Sequence, residues 1–200
     1  MYVFLKNLGE IIEKCLANSK IKRYLCKNYV NKKTVLQSNY VLRAREKYDS
    51  YDLSCWTKAY FDYDSGGFNV YHKDHQFTPT GGGGEAEKIV GLLLAKHNGK
   101  QVEFLPEQGI GCPVPDLGFD EQTWDVKSIG KAREDTIRKH IKDARKANNA
   151  LFYFTNDKYD ELISAVNREV GYLEKSNRLS IMPNIYYMNK QGILTLIWHK

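Results

Sequence analysis

The chain has 200 residues, of which 42% are hydrophobic and 27% are charged, and these values fit one globular domain with or without an extension. No apolar run approaches the roughly 18 residues of a membrane span, so the sequence argues against a membrane-embedded protein. The net charge of +6 is compatible with an acidic partner.

The four cysteines, at positions 15, 26, 55 and 112, are widely scattered and show no paired C-x-x-C spacing. Reduced thiols therefore fit better than a zinc site or a disulfide framework. The first 15 residues carry charges inside their apolar stretch, unlike a secretory signal. We expect the folded protein to work in a reducing cytoplasm, which leaves open its delivery into another cell.

The basic excess lies in the N-terminal third of the chain. Residues 1–66 carry 12 Lys and Arg against 7 Asp and Glu, whereas residues 67–200 carry 18 against 17. Apolar spacing of three and four predicts an amphipathic helix over residues 2–17. Residues 18–48 are rich in Lys and Arg interleaved with Tyr, which is typical of an RNA-contacting arm or, more often, of a solvated helical face.

A run of Ser and Gly at positions 65–67 gives the best candidate for a domain boundary. We therefore predict a basic helical N-terminal extension over residues 1–66 and a second domain over residues 67–200. Residues 68–71 predict a short strand at the start of that domain.

From residue 84 onward the patterns predict the order α-β-β-β-α-β-α-β-β. The first helix of this order is apolar over most of its circumference, which predicts that it is buried. The fold class is α+β, with a mixed or antiparallel central sheet flanked by helices. The predicted elements are helix 85–97, strands 101–105, 116–119 and 123–129, helix 135–148, strand 150–154, helix 159–173, and strands 184–188 and 193–198.

Two acids and a lysine on neighbouring predicted strands carry the main chemical signal. Asp116 follows a proline at the start of one strand, and Asp125 and Lys127 lie two residues apart on the next. Alternation along a strand places these last two side chains on one face. With Glu87 from the preceding helix, Asp116 and Asp125 offer hard oxygen ligands for a divalent metal. Lys127 would orient an attacking water or stabilise developing negative charge on a phosphoryl group.

The same residues also have a plainer interpretation. Pro-Asp often starts a turn, and Asp-x-Lys on a strand is often a solvated face. The pattern gains weight from the basic helix that follows it, in which Arg138, Lys142 and Arg145 share a face suited to RNA. His72 and His75 fit no standard metal spacing, so surface histidines are the better interpretation, with a general acid/base role left open for one of them.

The stretch from GEAEKIVGLLLAKHNGKQVEFLPE through PDLGFDEQTWDVKSI to TIRKHIKDARKANNALFYF resembles the C-terminal nuclease domains of bacterial contact-dependent inhibition toxins of the CdiA type. Similar domains are carried by phage and mobile-element proteins. The resemblance covers roughly residues 68–200. It implies an endoribonuclease, most often one that cuts tRNA, in the bacterial cytoplasm of a target cell, and a cognate immunity protein as partner.

The resemblance leaves two nuclease cores open. In a PD-(D/E)xK restriction-endonuclease-like core, Glu87, Asp116, Asp125 and Lys127 would be the catalytic set, and the three acids would hold a divalent metal, Mg²⁺ or Zn²⁺. In a core of the barnase, EndoU, colicin or RelE type, catalysis would be metal-independent. There Lys127 would matter more, together with other side chains of the helix after it: Arg138, Thr136 or His140.

Two rival functions remain. A restriction-type DNA endonuclease would use the same acids and lysine on a substrate without a 2′-hydroxyl. A catalytically inactive binding or structural protein of a phage or mobile element would show no effect of substitution at Asp116 or Lys127.

Overall fold

A computed structural model of the chain describes residues 20–77, 83–107, 114–154 and 159–199. The helix predicted over residues 2–17 lies outside the described residues. The helices are α1 Lys20–Ser50, α2 Gly83–Asn98, α3 Glu134–Asp143 and α4 Tyr159–Lys175, with short 3₁₀ helices at Ala144–Lys146 and Leu179–Ile181. The strands are β1 Trp56–Phe61, β2 Phe68–His72, β3 Gln101–Phe104, β4 Leu117–Phe119, β5 Gln122–Ile129, β6 Asn149–Phe154, β7 Asn184–Met188 and β8 Leu194–Trp198.

The predicted order of elements from α2 to β8 is confirmed, and so is the α+β class with a mixed sheet. Two of the turns contain residues in the left-handed conformation. Gly99 follows α2 with φ +62°, a left-handed conformation that suits glycine at the end of a helix. Asp120 and Glu121 join β4 to β5 with φ of 51° and 60°, as a two-residue hairpin turn requires.

The eight strands of the described residues form one mixed sheet in chain order. Parallel pairing occurs between β2 and β3, between β5 and β6, and between β6 and β7, and the remaining neighbours are antiparallel. Alternate side chains of the central strands face different helices. Phe152 of β6 packs in a cluster with Ile137 of α3, whereas the adjacent Leu151 packs in a cluster with Val90 of α2. The sheet is thus covered by helices on both faces.

Helix α2 is less buried than its composition predicts. Val90 and Leu94 are fully buried, but Ile89 and Leu92 are 36% and 40% exposed. The prediction of burial on most sides is therefore wrong, because one face of α2 packs on the sheet and the opposite face has no covering layer among the described residues.

The sheet also includes part of the segment predicted as an extension. Strand β1 pairs antiparallel with β2, and the predicted boundary after residue 66 falls in the turn between them. The chain divides into compact units after Leu42, within the long helix α1, so that Arg43–Lys200 forms one unit. Among the described helices, none is both long and apolar enough to cross a membrane.

Candidate functional site

Strand β5 presents Asp125 and Lys127 on the same face, as predicted from the alternation of strand side chains. Asp125 is fully buried, and the Lys127 ammonium forms an ion pair with its Oδ2. The Lys127 side chain is only 17% exposed. A fully buried carboxylate is costly unless cations compensate its charge, so this pair is a built feature of the fold and not a solvated surface contact.

Asp116 directly precedes strand β4, and both its backbone and its side chain form hydrogen bonds with the backbone of β5. Its backbone N–H donates to the carbonyl oxygen of Trp124, and its side-chain Oδ2 accepts a 2.7 Å hydrogen bond from the N–H of Val126. One oxygen of Asp116 is therefore fixed by backbone, while Oδ1 faces the site. The sequence placed Asp116 beside Asp125 correctly, because a tight β4–β5 hairpin brings their positions together.

A second lysine, which the sequence reasoning missed, joins the two acids. The Nζ of Lys146 lies 2.7 Å from Asp125 Oδ1 and 3.2 Å from Asp116 Oδ1, and the Lys146 side chain is only 20% exposed. Lys146 ends the 3₁₀ helix just before β6. Because β6 runs parallel to β5 and Asp125 pairs with Ala150, the residues that enter β6 lie beside the start of β5. The contact of Lys146 with the two acids follows from this register, which no local sequence pattern indicated.

Glu87 forms its ion pair with His75 and not with the cluster of Asp116, Asp125, Lys127 and Lys146. The Oε2 of Glu87 lies 3.5 Å from Nε2 of His75, and both side chains are nearly buried. The Nδ1 of His75 lies 2.8 Å from a backbone carbonyl oxygen, that of residue 105, which fixes the ring. The interpretation of His75 as a surface histidine is therefore wrong, because its side chain is only 4% exposed. The spacing of His72 and His75 gave no sign of this burial.

The charges of these groups shift one another's pKa values. Burial raises the pKa of Asp125, the Asp116 charge raises it further, and the two lysines oppose this. Burial lowers the pKa of Lys146, but the two carboxylates outweigh it and raise that pKa overall. Burial would likewise lower the pKa of His75, yet Glu87, a backbone carbonyl and the charge of Asp116 raise it. The charge of Asp116 therefore acts both on Asp125 and Lys146 within the cluster and on His75, which pairs with Glu87.

His140 of α3 lies close enough to Lys127 to respond to its charge. Burial lowers the pKa of His140, and the positive charge of Lys127 lowers it further. A neutral imidazole is therefore favoured near the lysine, where it can accept or pass on a proton.

The three basic residues predicted to contact RNA differ in their surroundings. Lys142 and Arg145 are exposed. The Arg138 guanidinium donates a 2.8 Å hydrogen bond from Nε to Glu169, whose side chain is nearly buried, and it lies over the ring of Tyr172. Part of the charge of Arg138 is thus used to join α3 to α4.

Two carboxylate oxygens of the cluster point at the same cation. Oδ1 of Asp116 and Oδ1 of Asp125 converge on a single cationic point, now the Lys146 ammonium. Mg²⁺ is commonly held by one or two carboxylates plus water, which this pair can supply. The described part of the chain contains no group of three His, Cys, Asp or Glu side chains placed for a metal, and Glu87 pairs with His75 instead of the two aspartates.

Compared with protein-family models, with curated proteins and with solved structures, the chain shows no match.

Proposed function

We propose that the chain is a nuclease, and specifically an endoribonuclease that cleaves tRNA as a toxin or mobile-element effector. The observation that carries this proposal is the convergence of Asp116, Asp125 and Lys127 with a second lysine in a nearly buried cluster. Burying four charged side chains together is costly, and such clusters concentrate where a protein handles a charged ligand.

The cluster supplies what phosphodiester cleavage requires. The reaction needs an activated oxygen nucleophile and cations that stabilise negative charge on the phosphoryl oxygens. Mg²⁺ held by Asp116 and Asp125 would activate a water and act as a Lewis acid. Glu87, which pairs with His75, would support the site and not bind the metal. The Lys127 ammonium pairs with the other oxygen of Asp125, Oδ2, beside this point. From there it would stabilise charge that develops on the phosphate or orient the attacking water.

A metal-independent route uses neighbouring residues of this chain. His140 is favoured as a neutral base near Lys127, and His75 has a raised pKa beside Glu87, which suits a proton donor. This route corresponds to the barnase-like alternative. The meeting of Asp116, Asp125 and Lys127 favours the restriction-endonuclease-like alternative, in which all three belong to the catalytic set.

RNA is favoured over DNA by the resemblance to tRNA-cleaving toxin domains, and a cognate immunity protein is proposed on the same ground. The basic N-terminal third adds a general attraction to phosphate backbones. A restriction-type DNA endonuclease is the second candidate, since the same cluster serves either backbone. A non-catalytic binding role is the third.

The experiment that tests the proposal incubates purified protein with total tRNA and with plasmid DNA, with and without EDTA. Lys127→Ala serves as the inactive control. We expect wild-type protein to cut tRNA, and the Lys127→Ala variant to lose at least about a hundredfold in rate, the usual effect of removing one charge-stabilising donor.

Each remaining outcome selects a different alternative. Loss of tRNA cleavage in EDTA supports the metal-dependent site, whereas cleavage that survives EDTA but not the Lys127→Ala change supports the metal-independent route. Cleavage of plasmid DNA alone would favour the second candidate. No cleavage of either nucleic acid by a folded protein would contradict the proposal.

A further inference from the structure

The Lys146 ammonium occupies the point at which the two candidate catalytic carboxylates converge. It lies 2.7 Å from Oδ1 of Asp125 and 3.2 Å from Oδ1 of Asp116, so a single cation bridges both acids. Lys127 does not share this point, because it pairs with the other oxygen of Asp125. The two lysines are therefore not equivalent.

A lysine ammonium and a divalent metal compete for such a point. Both are attracted to the same carboxylate oxygens, and a metal bound at about 2.1 Å from them leaves no room for an ammonium at hydrogen-bond distance. Two cations at one point would also repel strongly in a site with little water.

The surroundings indicate which partner can move. Asp116 is held through Oδ2 by the Val126 N–H, and Asp125 is fully buried within strand β5, so the carboxylates are fixed. Lys146 reaches them from the end of a short 3₁₀ helix through a flexible four-carbon chain, and its side chain keeps contact with solvent.

We infer that Lys146 is a resident cation of the site, which neutralises Asp116 and Asp125 in the metal-free protein and which a divalent metal must displace in order to bind. The inference rests on the proposed nuclease site and assigns to Lys146 a positioning role that differs from that of Lys127. Lys146 keeps two buried acids folded together before the metal arrives, and it sets the metal affinity below what the acids alone would give.

Calorimetric titration with Mn²⁺ tests this inference without any substrate. Lys146→Met removes the competing charge at similar volume, and we expect it to bind Mn²⁺ on the order of tenfold more tightly than wild type. Lys146→Arg keeps the charge and should bind weakly, as wild type does. Lys139→Met, which removes an exposed lysine of α3, is the matched control and should leave the affinity unchanged. Equal affinity in Lys146→Met and wild type, or no Mn²⁺ binding in either, would overturn the inference.

A second measurement uses only wild-type protein and so does not depend on how well a variant folds. Amine acetylation followed by mass spectrometry reports how accessible each lysine is. Saturating Mn²⁺ should raise the acetylation rate of Lys146 several-fold and leave that of Lys139 unchanged. An unchanged rate at Lys146 would overturn the inference. Since neither measurement involves cleavage, a failure of the nuclease proposal and a failure of this inference give separate results.

Discussion

Gly91 lies on the face of helix α2 that packs on Phe104, one turn after Glu87. A larger side chain at this position would disturb the packing of α2 next to the candidate site. A Cβ at Gly91 would lie 2.6 Å from two ring carbons of Phe104, which is far closer than carbon atoms pack. Phe104 cannot easily yield, because it is fully buried and its ring meets those of Tyr71, His75 and Phe77.

The expected magnitude follows from two opposing terms. Replacing a helical glycine by alanine gains about 1 kcal/mol of helix stability, whereas overpacking a rigid core costs about 1–3 kcal/mol, and here the collision is with a ring that three others hold. We expect Gly91→Ala to lower the free energy of unfolding by about 1 kcal/mol net. Gly171 in α4 is the matched control, since a Cβ at that position would meet no atom within 4 Å. Gly171→Ala should therefore raise the free energy of unfolding by about 0.5–1 kcal/mol.

Urea denaturation followed by circular dichroism measures both variants. A difference of about 2 kcal/mol between them corresponds to about 1 M in the urea midpoint if the slope is about 2 kcal/mol per M. Because Gly91 and Glu87 lie one turn apart on α2, the destabilised variant should also lose activity on RNA. If Gly91→Ala were as stable as Gly171→Ala, the packing of α2 described above would be refuted.

Three further predictions concern the site itself. Glu87→Gln should lower the cleavage rate by about 10–100-fold, as loss of a supporting contact does. Glu85→Gln, at an exposed position of the same helix, should leave the rate unchanged. Equal rates in the two variants would contradict a role for Glu87. The pKa of His140 is lowered in the folded protein, so the unfolded chain binds the proton more readily. The urea midpoint should therefore fall as the pH drops below the unfolded pKa of about 6.5. The His140→Gln variant should show a flatter dependence of the urea midpoint on pH. An identical profile in that variant would show that His140 does not contribute. Lys142→Ala and Arg145→Ala should each weaken tRNA binding and reduce the slope of log affinity against log salt by about 1, measured by filter binding in EDTA, and unchanged slopes would remove these residues from the interface.

Much of the fold could be predicted from the sequence because its elements are locally consistent. The sequence patterns predicted helices over 135–148 and 159–173 and a strand over 150–154, which correspond to α3, α4 and β6. Strand β1 was missed, because its segment mixes aromatic and acidic residues and shows no clean alternation. The exposure of Ile89 was also missed, since composition does not show which side of a helix is covered.

Some residues of the candidate site could likewise be predicted from the sequence, and others could not. Asp116, Asp125 and Lys127 could be placed together because a short hairpin and the alternation along a strand are both local rules. Lys146 and the pairing of His75 with Glu87 could not, because they depend on which distant segments the sheet brings side by side. The parallel register of β5 and β6, formed across a helical crossover, decides the first of these contacts.

The most direct test of the proposed catalytic centre is the single-turnover rate of tRNA cleavage by Asp125→Asn beside wild type. Circular dichroism and a thermal melt would confirm that the variant is folded. We predict a fall of at least about a hundredfold, because asparagine keeps the size of the buried group but removes the charge that holds both lysines and any metal. A folded Asp125→Asn protein that cleaves tRNA within a few-fold of the wild-type rate would contradict the assignment of this cluster as the catalytic centre.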